Sequence, residues 1–411
     1  MDSYKKERRH FYNEIKNFWP DLYGEEYALY DISTIDEPVL QEIRLCTHRV
    51  GRIYFKASEL LRNVDDETLK DMGFPAETLA FIRLKTIPFE SVIARLDLVK
   101  NGHSYKCIEI NSDTPTFIKE LFYVNGLVAK EFNLDDPNAG MAEQLGKAVR
   151  TSVAESAKWV QEAEPYVVFT AHEDNIEDKN TVLYLQELYS LPAKFIPLHK
   201  LIIEPGKGLY DEKGRKIDIL YRQTFPIESL IVDEDSSGNK IGQWLIQLVL
   251  RKKLAIINPP SAFLLQNKAV QAVIWGLHEN NDDFFTEEEH TWIQEYFLPT
   301  FLEADPFINK QRAYVKKPIF GREGDTVQIF GPGGNLLAEE QHKTYSEVPS
   351  IFQEYVELPR TSYLSETGRK TGHQLIGSFL INGKPSAIGF RVGGEITNNL
   401  SCYLPAGLSK G

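Results

Sequence analysis

The sequence predicts a mixed α/β protein, and three observations carry that prediction. Residues 1–90 repeat apolar side chains at helical spacing, residues 166–223 alternate strand and helix, and the last third strings together short alternating segments parted by glycine-rich turns. Helices over a sheet, a small α/β unit and an antiparallel region should therefore follow one another. The expected boundaries are 1–155 for the N-terminal helices with the first strands, 156–255 for the small α/β domain, and 256–411 for the antiparallel part.

The first helical signal is "PVLQEIRLCTHRVGRIYFKASELL". Pro38 lies near its start, where the N–H that proline lacks would be unpaired in any case. "FESVIARLDLV" and "YKCIEI" read as two strands joined through "KNGHS", whose Asn101-Gly102 is a hairpin signal. One helix is expected over "TFIKELFYVNGLVAKEF" and another from about 142 to 162. "YVVFTAHEDNIEDKNTVLYLQELYSLPAKFIPL" reads as strand, acidic loop, helix and strand, and "IDILYRQ" adds one more strand. No Gly-x-Gly-x-x-Gly occurs there, so no dinucleotide site is expected. Beyond it "LAIINPPSAFLL" reads as extended, a helix begins near Gln266, and "AYVKKPI", "DTVQIF", "IFQEYVEL", "QLIGSFLING" and "PSAIGFRVG" read as antiparallel strands.

Composition excludes several classes of function. With 59 acidic against 46 basic side chains in 411 residues, a net charge of -13, the chain lacks the cation surplus of a phosphate-backbone binder, and nucleic acid is not an expected partner. There is no run of about 18 apolar residues, and the charged "MDSYKKERRHFYNEIKNFW" has no signal-peptide core, so a cytoplasmic protein without a membrane partner is expected. Three cysteines, Cys46, Cys107 and Cys402, without a Cys-x-x-Cys pair, fit a reducing compartment. The sequon at Asn399 then has no glycan to carry.

Chemistry concentrates in two places. Period-two alternation puts Arg95 and Asp97 on one face of their strand, and Glu109, Asn111 and Asp113 on one face of the next. If the strands pair, five polar groups meet. Carboxylates and an amide oxygen are hard ligands of the kind Mg²⁺ takes, and an arginine beside them suits a phosphate; the same pattern also describes a half-exposed sheet face with surface ion pairs. In "AYVKKPIFGREGDTVQIF" a strand delivers Lys316 and Lys317 to opposite faces, and the turn from Gly321 to Gly324 can offer N–H groups to a phosphate or simply reverse the chain. Cys46 and His48 are two apart in a helical pattern and point different ways, which argues against a thiol with its base.

"RLD…EINSDTPT" is followed in order by "EDNIEDKNTVLYLQ", "LLQNKAV", "VKKPIFGREG", "QEYVELP", "LIGSFLINGKPSAIGFR" and "ITNNLS". In these motifs the chain resembles the glutathionylspermidine synthase-like branch of the ATP-grasp superfamily, carboxylate-to-amine ligases, from "DLYGEEY" to "CYLPA". The resemblance implies an ATP-grasp fold of circularly permuted type, with a small Rossmann-like (pre-ATP-grasp) α/β domain inserted. It implies that Asp97, Glu109 and Asn111 hold two magnesium ions and that Arg95 steadies the transferring phosphate and the acyl phosphate. Lys268, Lys317 and Gly324 would bind the phosphates of ATP, with Gln353, Glu354 and Tyr355 lining the adenine pocket. The implied reaction joins a small-molecule or small-peptide carboxylate to an amine, plausibly a polyamine, and releases ADP, with no room for an amidase domain. Two departures, Cys402 and Ala406 in "SCYLPA", stand where members often carry Arg and His and bear on the substrate site. A nucleotide- or peptide-binding module, or a phosphotransferase that stops at a phosphorylated product, would use many of the same residues.

Overall fold

The computed structural model describes residues 2–409. The N-terminal part opens with α1 (Asp2–Asn13) and α2 (Glu37–Leu61). Asp36 caps α2 by accepting the Val39 N–H at 2.9 Å, Pro38 occupies its first turn, and the face bearing Ile43, Val50, Ile53, Tyr54 and Leu61 is buried. Next comes the hairpin β1 (Ile93–Asn101) and β2 (Ser104–Asn111). Asn101 pairs with Ser104, so the turn residues are Gly102 and His103, one position later than the Asn101-Gly102 reading. Gly102 takes φ +62 at the first turn position, the conformation a side chain resists and a tight hairpin needs.

The single helix expected after the hairpin forms over residues 118–131, with a π-helical turn, Glu120–Val124, inside it before Asn125–Glu131. The wider turn swings residue i+5 back toward residue i, and the Tyr403 hydroxyl reaches both the Glu120 carbonyl (3.1 Å) and the Asn125 side chain (3.3 Å). Then α3 (Met141–Val160) leads into the α/β unit.

That unit contains β3 (Val167–Ala171), α4 (Ile176–Tyr189), β4 (Lys194–Phe195), β5 (Ile219–Gln223), α5 (Ile241–Leu250) and β6 (Ala255–Ile257). The four strands form a parallel sheet in the order β6-β5-β3-β4. Every residue of β3, β5 and β6 is buried, as expected when helices cover both faces of a parallel sheet.

After β6 the extended reading fails. Pro260 opens a helix, α6 (Pro260–Gln266), at the position where proline is tolerated best. The helix expected near Gln266 begins later, as α7 (Ala269–Glu279), because Asn267 adopts an extended backbone and its side chain accepts the Ala269 N–H at 2.7 Å. Lys268 lies in that break. α8 (Glu287–Tyr296) follows, its start held by a capping box between Thr286 and Glu289.

The two large antiparallel sheets draw on β7 (Thr300–Phe301), β8 (Tyr314–Pro318), β9 (Gln328–Phe330), β10 (Leu336–Glu339), β11 (Ser350–Glu354), β12 (Arg360–Ser365), β13 (Gly368–Ile381), β14 (Lys384–Gly393) and β15 (Cys402–Leu404). One antiparallel sheet runs β7-β11-β8-β9-β10; a larger one runs β15-β14-β13-β1-β2. β13 is 14 residues long, and its first half pairs with β12 while its second half pairs with β1. The early hairpin thus completes a sheet built from the end of the chain.

Candidate active site

The floor of the site is the β1-β2 ladder. Arg95 pairs with Asn111 and Asp97 with Glu109, so all four side chains share one face. Beyond Asp97 the register shifts and Leu98 meets Cys107, which leaves Ile108 as an extra residue. This bulge matters, because strict alternation would put Cys107 beside Glu109. Instead Ile108 and Glu109 both face the cavity and Cys107 joins the core.

The floor is tightly wired. Arg95 donates through Nε to Asp97 Oδ1 (2.7 Å), through Nη2 to Oδ2 (3.1 Å), and through Nη1 to the Thr116 carbonyl (3.0 Å). Asn111 Nδ2 lies 3.4 Å from both Asp97 Oδ2 and Glu109 Oε1. From the break between α6 and α7, Lys268 places Nζ 3.3 Å from Glu109 Oε2 and 2.7 Å from the Gly321 carbonyl. From β8, Lys317 donates to Gln353 Oε1 at 2.7 Å.

These charges answer one another. Burial works to raise the Glu109 carboxyl, but Lys268, Lys317 and Arg95 together outweigh it and hold it at about 2. Burial also lowers the Lys317 ammonium to about 8 against the pull of Glu109. Asp97 is pushed upward by desolvation even with Arg95 beside it.

All ten residues named from the sequence line one cavity between the two antiparallel sheets: Arg95, Asp97, Glu109, Asn111, Lys268, Lys317, Gly324, Gln353, Glu354 and Tyr355. Gly324 has φ +74, and a Cβ there would stand 2.7 Å from the Thr397 carbonyl oxygen, so the turn packs where only glycine fits. Gln353 is buried and occupied, holding Lys317, Gln271 and Thr300. Apolar side chains of Leu298, Val315, Val356 and Leu358 line the same cavity.

Asp113 departs from the expectation of one shared face. The strand ends at Asn111, so period two no longer applies, and Asp113 turns into a buried ion pair with Arg222 of β5 at 2.5 Å. The departures at Cys402 and Ala406 also fall elsewhere: neither lines the cavity, and the Ala406 N–H donates to Asn125 Oδ1 at 2.8 Å.

Sequence reasoning missed the other rim of the cavity, with Tyr27, Glu177, Arg391 and Glu395. Burial, then the charges of Glu120 and Asp178, push Glu177 up to about 8. Glu120 itself is wholly buried and accepts the Tyr27 hydroxyl at 2.6 Å. The only signal for these residues was the place of Glu177 inside "EDNIED", Glu120 inside "TFIKE", Arg391 inside "GFRVGG" and Tyr27 at the end of "DLYGEEY"; Glu395 lies in no motif.

The donor set fits magnesium. Among the described residues no group of three or more His, Cys, Asp or Glu forms a self-sufficient metal cage. Two carboxylates and an amide oxygen are instead what an ion needs when it keeps water and shares itself with substrate phosphates.

Two antiparallel sheets with a cavity between them, joined to a parallel α/β unit, make a mixed α/β fold consistent with the ATP-grasp type. The chain belongs to the family described as glutathionylspermidine synthase preATP-grasp, which matches residues 5–409. A Haemophilus influenzae protein named as a candidate acid–amine ligase is 23% identical over 410 residues, covering 95% of this chain and 90% of the relative. The bifunctional glutathionylspermidine synthetase/amidase of Escherichia coli is 21% identical over 80% of this chain and 53% of its own length; the trypanothione synthetase of Crithidia fasciculata is 24% identical over 82% and 50%. The chain thus spans about half the length of these last two relatives. A glutathione synthetase-like effector of Globodera pallida, solved in apo form, superposes with a TM-score of 0.56 at 15% identity over 93% of this chain and 90% of that one, a likeness of fold. Among the described residues no helix is long and apolar enough to cross a membrane.

Proposed function

We propose that the protein is an ATP- and magnesium-dependent ligase that joins a carboxylate to an amine through an acyl phosphate and releases ADP. The observation that carries this reading is the convergence of Arg95, Asp97, Glu109 and Asn111 with Lys268 and Lys317 in one cavity. The names of the relatives, synthetases and an acid–amine ligase, point the same way.

A carboxylate is a poor acyl donor because oxide is a poor leaving group; phosphorylation supplies a better one. The task left to the protein is to position reactants and offset charge, which needs no nucleophilic side chain. Lys268 and Lys317 meet the phosphates, and Arg95, fixed by Asp97 and Thr116, meets the oxygens of the transferring group. Asp97, Glu109 and Asn111 would hold the magnesium, which supplies charge neutralisation between phosphates. The apolar walls at Val315 and Leu358, beside Glu354 and Tyr355, suit a purine. The rim suits a cationic amine: Glu395 faces the cavity, and the raised Glu177 carboxyl would ionise once a cation stands beside it, with a polyamine carrying the most charge to do so. Residues 1–155 then supply the floor, 156–255 the substrate side and 256–411 the nucleotide side, in a cytoplasmic enzyme acting on small molecules.

The test measures ADP release with Mg²⁺ across a matrix of small peptides and amines, for the native protein, Arg95→Ala and Glu109→Ala. Turnover that needs both a carboxylate and an amine and vanishes in both variants is expected. ADP release indifferent to the amine, with a stable phosphorylated product, would replace the ligase by a phosphotransferase; ATP binding without turnover from any pair would favour a binding module.

A further inference from the structure

Two histidines meet away from the cavity, where α7 ends and α8 begins. His278 lies in the last turn of α7 and His290 in the first turn of α8, and their Nδ1 atoms are 3.1 Å apart. The groups behind each ring decide what can stand between them. His290 Nε2 lies 3.1 Å from the main-chain carbonyl of Asp282, which can only accept, so that nitrogen carries its hydrogen. His278 Nε2 lies 3.1 Å from Gln294 Oε1, another acceptor. A neutral imidazole has one N–H, and here both are committed to the outer oxygens. Two nitrogen lone pairs are left facing each other at hydrogen-bond distance with no hydrogen between them. A second proton on one ring, or a metal ion taken by both nitrogens, relieves that repulsion.

The geometry suits a metal. Two bonds of about 2.0–2.1 Å to one ion span the 3.1 Å separation at an angle of about 100°. Outer oxygens that take the far N–H of each ring are also what fixes tautomer and orientation in metal-binding histidines. Both rings are braced: Trp275 packs on His278 at 5.1 Å and Phe285 on His290 at 5.9 Å. The nearby Glu289 carboxylate is engaged by Lys56 at 2.6 Å, which leaves nitrogen as the characteristic donor. Imidazole nitrogens favour zinc, nickel and copper over magnesium.

We propose that His278 and His290 bind one transition-metal dication through their Nδ1 atoms, with water completing its coordination. The ion would tie α7 to α8. α7 starts one residue after Lys268 and carries Gln271, which bonds Gln353 and the Ile108 carbonyl (3.0 Å), so the tie braces the helix behind the nucleotide side of the cavity. The site stands independently of the ligase reading.

The experiment is a calorimetric titration of untagged protein with ZnCl₂ and NiCl₂, without nucleotide, on the native chain, His278→Ala, His290→Ala and the milder His290→Gln. Circular dichroism confirms that each variant is folded. One saturable equivalent is expected, weakened about tenfold or more by each histidine variant, unchanged in Glu109→Gln, and not displaced by excess MgCl₂. No saturable binding would overturn the proposal and leave a hydrogen between the two Nδ1 atoms, supplied either by a Gln294 amide turned end for end or by a doubly protonated ring. Binding that persists undiminished in every histidine variant would place the ion elsewhere and overturn it equally.

Discussion

At Glu109 three cations decide the state of one carboxyl: burial alone would raise it, and Lys268, Lys317 and Arg95 bring it down to about 2. Glu109→Gln keeps the shape and removes the charge those cations face. We expect ADP release to fall by about a hundredfold or more, with a higher Mg²⁺ requirement, measured by titrating Mg²⁺ at saturating ATP. Lys317 carries the pH dependence. Its ammonium is lowered by burial to about 8, so as pH rises through that value the free protein loses a positive charge that would meet phosphate. kcat/KM for ATP should therefore be high below pH 8 and decline above it; Lys317→Arg should lose that alkaline limb, because a guanidinium stays charged. A profile unchanged by Lys317→Arg would detach the residue from the phosphates. Residue types at two-residue spacing were enough to pick out Arg95, Asp97, Glu109 and Asn111. Spacing could not reveal that Asp113, two residues further on, pairs with Arg222 instead, because the strand has already ended.

Among the elements, the β2 bulge and the packing of α5 show what one residue can do. The bulge lets consecutive residues, Ile108 and Glu109, face the same cavity, and nothing in the alternation of "YKCIEI" announces it. α5 approaches its neighbour through Gly242, where a Cβ would stand 1.8 Å from the Leu230 carbonyl oxygen. That contact is with backbone, which cannot swing aside as a side chain could. Gly242→Ala should thus destabilise by about 1–3 kcal/mol even though alanine is the better helix former, read as a lower urea midpoint at unchanged slope. Helix existence was legible from periodicity, as α2 shows. Helix ends were not, since the start of α7 is set by an Asn267 side chain and that of α6 by a proline that reads equally well in an extended segment.

For the whole molecule, the parallel α/β unit is fastened to the floor of the cavity. Arg222 holds both Asp113 carboxylate oxygens, Gln223 donates to the Thr114 and Pro115 carbonyls at 3.0 and 3.2 Å, and Asn258 donates to the Asp113 carbonyl at 2.6 Å. These bonds fix the segment leading to Thr116, whose carbonyl orients Arg95. Arg222→Ala leaves a buried carboxylate without its partner and should cost about 3–5 kcal/mol in unfolding free energy. Arg222→Lys, which keeps one charge without the fork, should cost less stability yet still depress ADP release. The sequence by itself determined the mixed α/β class and the shared faces of Arg95, Asp97, Glu109 and Asn111, because pattern and residue chemistry are local properties; Lys268, Gly324 and Gln353 to Tyr355 were reached only through motifs that resemble the family. Only the tertiary structure decided that β1 pairs with β13, far along the chain, and that Lys268 and Lys317 come in from outside that sheet over Glu109 and Asp97. Which strands become neighbours, and which charges then share a space without water, depends on how the whole core packs, and no window of sequence contains that information.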